Sequence, residues 1–423
     1  MNRQCFHHAI IAISLVIVCA FSSCSPSVAI AKKQPTLTGA PVGGKKFEQA
    51  TATATKSKWH NGNHIETLVN GDEFYPAMIK SIKAAKKTIT FETYAFVEGV
   101  AAYNIITALC ERARSGVKIH MVLDYIGSKE IGQHNIDSLR QSGVELFFYH
   151  PPSILSPLRY NVRDHRKIMV VDGKVGFTGG CGVGDSWLGD AENEKQWRET
   201  HFRITGPVVE DLQRGFIINW NKVGGGELSG IDYFPSLKRT GAMKAQAFDS
   251  APRDKVYTIP YLYRQAFDSA EKSIIIENPY IIFDDPLLKS ILAARKRGVH
   301  VEIITSSDHC DSWLVRRVSL FQYPKLLKAG VHIYEFQPSL IHSKVMVVDG
   351  LFTSIGSANF DQRSLYLNDE SNVNILDKSF ANEQLKIIEA DKRRSIRITK
   401  AKHPLQPQQL FMKLLLNWTE PQI

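Results

Sequence analysis

Cysteine is scarce in this chain. Of six in 423 residues, Cys5, Cys19 and Cys24 sit near the start, and only Cys110, Cys181 and Cys310 remain beyond them. Three widely spaced thiols make neither a disulfide framework nor a metal-ligand pair. Cys110 lies in an apolar helical pattern and reads as core. Long apolar runs are equally scarce. The one candidate, Ala9 to Phe21 (AIIAISLVIVCAF), falls short of the roughly 20 residues that a spanning helix needs, and no later stretch is long enough. Compositional bias is missing too: 43% apolar and 22% charged residues exclude disordered, collagenous and coiled-coil chains. No basic stripe is interleaved with aromatics, so a surface for stacking nucleic-acid bases is not expected.

What is present is enough chain for two or three compact units. A formal net charge of +10 favours an anionic partner. Residues 1–31 read as a signal peptide or a membrane or lipoprotein anchor. Arg3 precedes the short apolar run, and three endings fit it. Ala29-Ile30-Ala31 matches a small-x-small cleavage site, Ser22-Ser23-Cys24 resembles a lipoprotein processing site, and an uncleaved anchor is the third. Residues 32–60, rich in Lys, Thr, Gly and Ala, read as a linker. Residues 401–423 form a tail whose Leu410–Trp418 stretch is either an interfacial helix with an aromatic anchor or a terminal helix docked on the core.

Between these ends the chain is duplicated, with a repeat of about 180 residues. AKKTITFETYAF at Ala85 matches AEKSIIIENPYI at Ala270. His165-Arg166-Lys167-Ile168-Met169-Val170-Val171-Asp172 matches His342-Ser343-Lys344-Val345-Met346-Val347-Val348-Asp349. The intervening blocks keep the same order. Each copy alternates short β-branched runs with helical patterns, including helices expected over His64–Ala85 and Ala101–Arg114. The expected fold is therefore α/β: two tandem halves, 61–240 and 241–400, related by pseudo-two-fold symmetry. Mixed sheets are flanked by helices, and a site lies at the seam where equivalent strand ends face each other.

The chemistry lies in His-x-Lys-x4-Asp, present twice. On a strand, residues i and i+2 share a face, so His165 projects with Lys167 and His342 with Lys344. Asp172 and Asp349 lie beyond the apolar run and either join the same ligand or fix the turn after the strand. A cluster of small residues follows each motif (Gly179-Gly180, and Gly356-Ser357-Ala358-Asn359) and lets donors approach an anion. Two ammonium groups suit the oxygens of a phosphodiester and its five-coordinate transition state. One neutral imidazole can attack phosphorus, and a protonated one can donate to the leaving oxygen. Each imidazole needs an acceptor on its other nitrogen, and Glu199 and Glu370 are candidates. The alternative for Glu199 is an ion pair with a neighbouring arginine. A lysine two residues from each histidine would repel a dication, so no metal and no cofactor are expected.

These paired motifs resemble those of the phospholipase D superfamily, over nearly all of residues 64–400. Within the superfamily the sequence looks most like bacterial cardiolipin synthases, a resemblance carried also by Trp197-Arg198-Glu199-Thr200-His201 and by Gly356-Ser357-Ala358-Asn359-Phe360-Asp361-Gln362-Arg363-Ser364. The resemblance implies transfer of a phosphatidyl group between phospholipids through a phosphohistidine, with anionic phospholipid and a membrane surface as partners. His165, Lys167, Asp172, His342, Lys344 and Asp349 would be the catalytic set. His165 is favoured as nucleophile, and Asn359 and Ser357 would bind phosphate. The family's usual asparagine is replaced in the first half by Gly182. The alternatives are an exported phospholipase D that yields phosphatidic acid and, behind it, a phosphodiesterase nuclease.

Overall fold

The computed structural model describes residues 40–152, 161–254 and 256–400. The signal or anchor segment 1–31 and the tail 401–423 lie outside the described residues. The first half runs α1 (Lys45–Thr55), β1 (His60–Val69), α2 (Asn70–Ala84), β2 (Thr88–Thr93), α3 (Val100–Arg114), β3 (Lys118–Asp124), α4 (Gln133–Gln141), β4 (Glu145–Tyr149), β5 (Lys167–Val171), β6 (Val175–Gly179), β7 (Thr200–Thr205) and α5 (Val209–Lys222). The second runs β8 (Met243–Ser250), α6 (Thr258–Ser269), β9 (Ser273–Glu277), α7 (Asp285–Lys296), β10 (His300–Ser306), α8 (Trp313–Lys328), β11 (His332–Phe336), β12 (Val345–Val348), β13 (Phe352–Gly356), α9 (Gln362–Tyr366), β14 (Glu370–Leu376), α10 (Lys378–Arg393) and β15 (Ser395–Ile398).

All fifteen strands among the described residues join one continuous sheet, in the order β15-β11-β10-β9-β12-β13-β14-β8-β1-β7-β6-β5-β2-β3-β4. Read outward from the β8–β1 junction, the two halves have the same order, with β15 added at one edge. Strands β2, β3 and β4 are parallel, as are β9, β10 and β11. The motif strands β5 and β12 run antiparallel beside β2 and β9. Helices cover both faces, so β5 (KIMVV) and β12 (VMVV) are buried along their whole length. This antiparallel placement brings the start of each motif strand to the carboxyl ends of its parallel neighbours, where α/β sheets carry their sites.

Two expectations are corrected. Residues 64–69, expected to open a helix, belong to β1, and the helix starts only at Asn70. β1 is the strand that welds the halves, pairing with β7 on one side and β8 on the other. Ladder hydrogen bonds on both edges override a pattern that helical spacing also fits. Residues 32–60, read as a linker, contain α1. Its Phe47 is fully buried and meets Phe352 of the second half edge-on at 5.2 Å. The sequence KKFEQATATAT is short and Thr-rich, so the burial of Phe47, not local propensity, makes this segment structural. No helix among the described residues is long and apolar enough to cross a membrane.

Candidate active site

The backbone first ties the two motifs to opposite halves. The His165 N–H donates to the Asp369 carbonyl at 2.9 Å, and the His342 N–H donates to the Arg198 carbonyl at 2.7 Å. Each motif therefore starts against the segment that precedes the other half's candidate glutamate. The side chains follow the same crossing. His165 Nδ1 lies 2.9 Å from Glu370, and His342 Nδ1 lies 2.7 Å from Glu199. Sequence alone left the partners open, and the structure pairs each histidine with the carboxylate of the other repeat. A carboxylate only accepts, so Nδ1 carries the proton and Nε2 is the nitrogen left for chemistry.

Glu199 does not form the alternative ion pair through its carboxylate. Arg198 turns away to Asp391 at 2.8 Å, and its contact with Glu199 is to the backbone carbonyl. Both glutamates have no exposed side-chain surface, and burial above all pushes each up to about 7. Burial, followed by repulsion from both lysines, holds both imidazoles well below the usual histidine range. The neutral form, which a nucleophile needs, is thereby favoured.

Lys167 and Lys344 project on the same side as their histidines, as the i, i+2 spacing requires. Lys167 Nζ donates to the His165 carbonyl at 2.7 Å, and Lys344 Nζ donates to the His342 carbonyl and lies 3.0 Å from His342 Nδ1. Burial lowers the two ammonium groups to about 7 and about 8 respectively. Held in this state, each gains most from an anion that restores its charge. Both lysines act electrostatically on both histidines, and His342 also feels His165. His165, Lys167, His342 and Asn359 line one cavity of about 690 Å³. Lys344 is buried against the cavity-lining His342.

The residues between the motif pairs point away, into buried charge networks. Arg166 reaches Asp249 at 3.6 Å, Glu92 at 4.0 Å and the Gly215 carbonyl at 2.9 Å. Ser343 donates to Glu277.

Three members of the expected site set act elsewhere. Asp172 accepts backbone N–H bonds from Lys86, Lys87 and Thr88, and Asp349 accepts them from Glu271, Lys272 and Ser273. Both have left-handed backbones, φ +50° and +54°. They fasten the far end of the motif strand, five residues and roughly 16 Å along from the lysine at about 3.3 Å per residue. They are turn residues and do not reach the cavity. Ser357 donates to Glu370, which also accepts from Ser364 at 2.7 Å, so it holds the orienting carboxylate and not the phosphate. Gly180, its counterpart in the first half, does the same by absence. A Cβ there would stand 2.4 Å from Glu199 Oε2. The small-residue clusters do approach an anion, and that anion is the buried glutamate.

Gly182 also has a steric reason. A Cβ at this position would lie 2.9 Å from Ala95 and 3.1 Å from Trp187, so no asparagine fits where Asn359 stands in the second half. Trp187 and Trp197 pack against His342 with ring centroids 5.5 and 5.4 Å away, and Tyr94 packs against His165 at 5.2 Å. These aromatics, with Tyr280 and its hydrogen-bonded Asp311, line the cavity and were not found from the sequence. Trp197 and Tyr94 lie inside segments that repeat, yet their partners in the other copy differ, so duplication gave no signal. Among the described residues, the one His/Glu group with ligand atoms gathered for a cation is His300, Glu302 and His332. It sits at the amino-terminal end of β10, away from the motifs, and Lys392 occupies Glu302 at 2.9 Å.

Two mirrored His–Lys–Glu sets around one cavity, on a duplicated α/β sheet, define a phospholipase D-like enzyme. The family model described as "Cardiolipin synthase, PLD-like domain" matches residues 78–214 and 263–392, one match per half. The chain belongs to this phospholipase D-like cardiolipin synthase family. It is 32% identical over 359 residues to cardiolipin synthase A of Pseudomonas aeruginosa, covering 85% of this chain and 73% of that one. It is 34% identical over 354 residues to cardiolipin synthase 1 of Staphylococcus aureus, covering 82% and 70%. The crystal structure of phosphatidylserine synthase from Haemophilus influenzae shares the fold, with a TM-score of 0.68 at 14% identity over 90% of this chain and all of that one.

Proposed function

We propose that this protein is a phosphatidyltransferase of the cardiolipin synthase type, working through a phosphohistidine and without a metal. The observation that carries the proposal is the crossed pairing. Each imidazole is held at Nδ1 by a buried carboxylate of the other repeat, so both Nε2 atoms serve the one cavity that the lysines flank. In the first step Nε2 of one histidine, His165 by preference, attacks the donor phosphorus. The bond from phosphorus to the headgroup oxygen breaks, and the other histidine, protonated once the charge of the bound phosphodiester offsets burial and the lysines, gives that oxygen its proton. In the second step the same histidine, now neutral, takes the proton of an acceptor hydroxyl. That oxygen attacks phosphorus, and the N–P bond breaks. Lys167 and Lys344 hold the non-bridging oxygens, where charge grows in each transition state, with the Asn359 side chain beside them.

The substrate is an anionic phospholipid at a membrane surface. Val100, Tyr103 and Trp313 are exposed on the first turns of α3 and α8, a few residues from the cavity-lining Val97 and Ser312. Aromatic and aliphatic groups at such a rim suit the boundary between headgroups and acyl chains.

The test is incubation with phosphatidylglycerol vesicles in chelator, quantifying cardiolipin, glycerol and phosphatidic acid. Wild type should release glycerol and form cardiolipin, and His165→Ala and His342→Ala should each lose at least about 10³-fold, the scale of removing one member of such a unit. Phosphatidic acid as the main product would replace transfer by hydrolysis. Equal turnover of wild type and both variants would end the mechanism.

A further inference from the structure

The reacting centre is symmetric, but the walls beside it are not. Arg163 and Arg363 line the cavity on the His165 side. By the offset between the motifs, 177 residues from His165 to His342, their counterparts are Leu340 and Ser186. Counted from the paired glutamates, Asn368 corresponds to Trp197. One flank is therefore cationic and amide-rich, and the other, beside His342, carries the indoles of Trp187 and Trp197. Duplication would have supplied equal flanks, so a substrate with two unlike ends is what this arrangement fits.

The cationic flank is built from both repeats. Arg363 follows the second motif, and it donates to the Asn161 side chain at 3.1 Å, to the Asn161 carbonyl at 2.7 Å and to Asn368 at 3.3 Å. Arg163 precedes the first motif and lies 3.4 Å from Asp124. The acidic neighbours are already engaged, Asp124 by Arg163 and the backbone, Asp361 by the backbone, and Asp311, which also lines the cavity, by the Tyr280 hydroxyl. Asp124 accepts from the N–H groups of Ile126, Gly127 and Asp164, and Asp361 caps α9 through the Ser364 N–H at 2.8 Å. Burial, with repulsion from Arg163 as a lesser cause, holds Arg363 below the ordinary arginine range. An anion beside Arg363 offsets its burial and the repulsion from Arg163.

We propose that Arg163 and Arg363 form a second phosphate subsite, which holds the phosphodiester of the acceptor lipid while the donor phosphorus sits between the histidines. This rests on the phosphatidyltransferase reading and adds to it a reason for choosing acceptors. An alcohol that itself carries a phosphodiester, one glycerol away from its free hydroxyl, is selected over water and over small neutral alcohols. A planar guanidinium suits that role because it takes a phosphate with two parallel N–H bonds.

The test uses the full chain with phosphatidylglycerol in mixed micelles, comparing wild type with Arg363→Gln and Arg163→Leu, the latter taken from the counterpart position. The ratio of cardiolipin to phosphatidic acid should fall about tenfold in either variant, whatever happens to total turnover, because one charge-assisted contact to the acceptor is lost. A ratio unchanged in both variants, with turnover lowered or not, overturns the subsite. A second arm measures binding on the His165→Ala protein with two deacylated headgroups, glycerophosphoglycerol and its bis-phosphodiester analogue. The two-phosphate compound should bind about tenfold more tightly, and Arg363→Gln in the same background should abolish the difference. Equal binding of the two compounds refutes the subsite. If wild type releases no glycerol, the transfer reading fails by itself, and the binding arm still decides the subsite.

Discussion

Replacing Glu370 by Gln is the most exacting perturbation of this site, because it keeps shape and removes one function. Glu370 takes three donors: Nδ1–H of His165, and the hydroxyls of Ser357 and Ser364. A glutamine offers one oxygen. If that oxygen stays with the serines, the amide N–H₂ faces His165, Nδ1 must accept, and the proton moves to Nε2. The nitrogen that should meet phosphorus is then blocked. Even with the correct tautomer, the cationic N-phosphorylated imidazole loses the negative charge at 2.9 Å that stabilises it. An orienting carboxylate of this kind is worth about 10³–10⁴-fold, or about 4–5.5 kcal/mol of barrier. Glu199→Gln should cost a similar factor through His342. The assay is initial glycerol release from phosphatidylglycerol, with thermal melts to show that the variants fold. Because the pairs cross between repeats, Glu370→Gln should add almost nothing to His165→Ala, the partner it serves. Turnover of Glu370→Gln within about fivefold of wild type would refute the argument that the carboxylate sets the tautomer.

Two further outcomes follow from the same geometry. Asp172→Ala and Asp349→Ala should each destabilise the fold by about 1–3 kcal/mol in denaturant titrations, since three backbone N–H groups lose their acceptor. Activity per folded molecule should stay within a few-fold of wild type, and a catalytic-scale loss in a fully folded variant would put these residues back in the reaction. The pH profile of kcat/KM should be a narrow bell centred near pH 7. As pH falls through about 7, Glu199 and Glu370 take up protons and stop accepting from the imidazoles, and as it rises through about 7 and about 8, Lys167 and Lys344 lose their charge. Bound phosphate raises the lysines, so the alkaline limb of kcat should lie above that of kcat/KM. A kcat/KM that is flat across both limbs contradicts the protonation states assigned here.

The duplication, the α/β class and the two His-x-Lys pairs were legible in the sequence because each is written locally. Alternation on one strand fixes which side chains share a face, and a repeated block reports a repeated element. Both orienting glutamates could be named for the same reason, since each follows its motif at a similar offset. Their pairing could not, because Glu199, just before β7, and Glu370, on β14, meet the opposite motif only when β1 and β8 join the halves into one sheet. The roles of Asp172 and Asp349 were open for a similar reason. An aspartate just past a strand looks the same whether it faces a phosphate or the N–H groups of a neighbouring turn, and only the path of Lys86–Thr88 and Glu271–Ser273 decides. Ser357 was misplaced because its true anion is a buried carboxylate thirteen residues downstream, visible only once β13 and β14 lie side by side. α1 went unread because its stability comes from Phe47 packing on the other half. The sequence by itself put His165 with Lys167 and His342 with Lys344 on shared faces, through chain-local periodicity. Only the tertiary structure decided which groups face each other, because contacts across more than a hundred residues depend on how the two repeats close on one another.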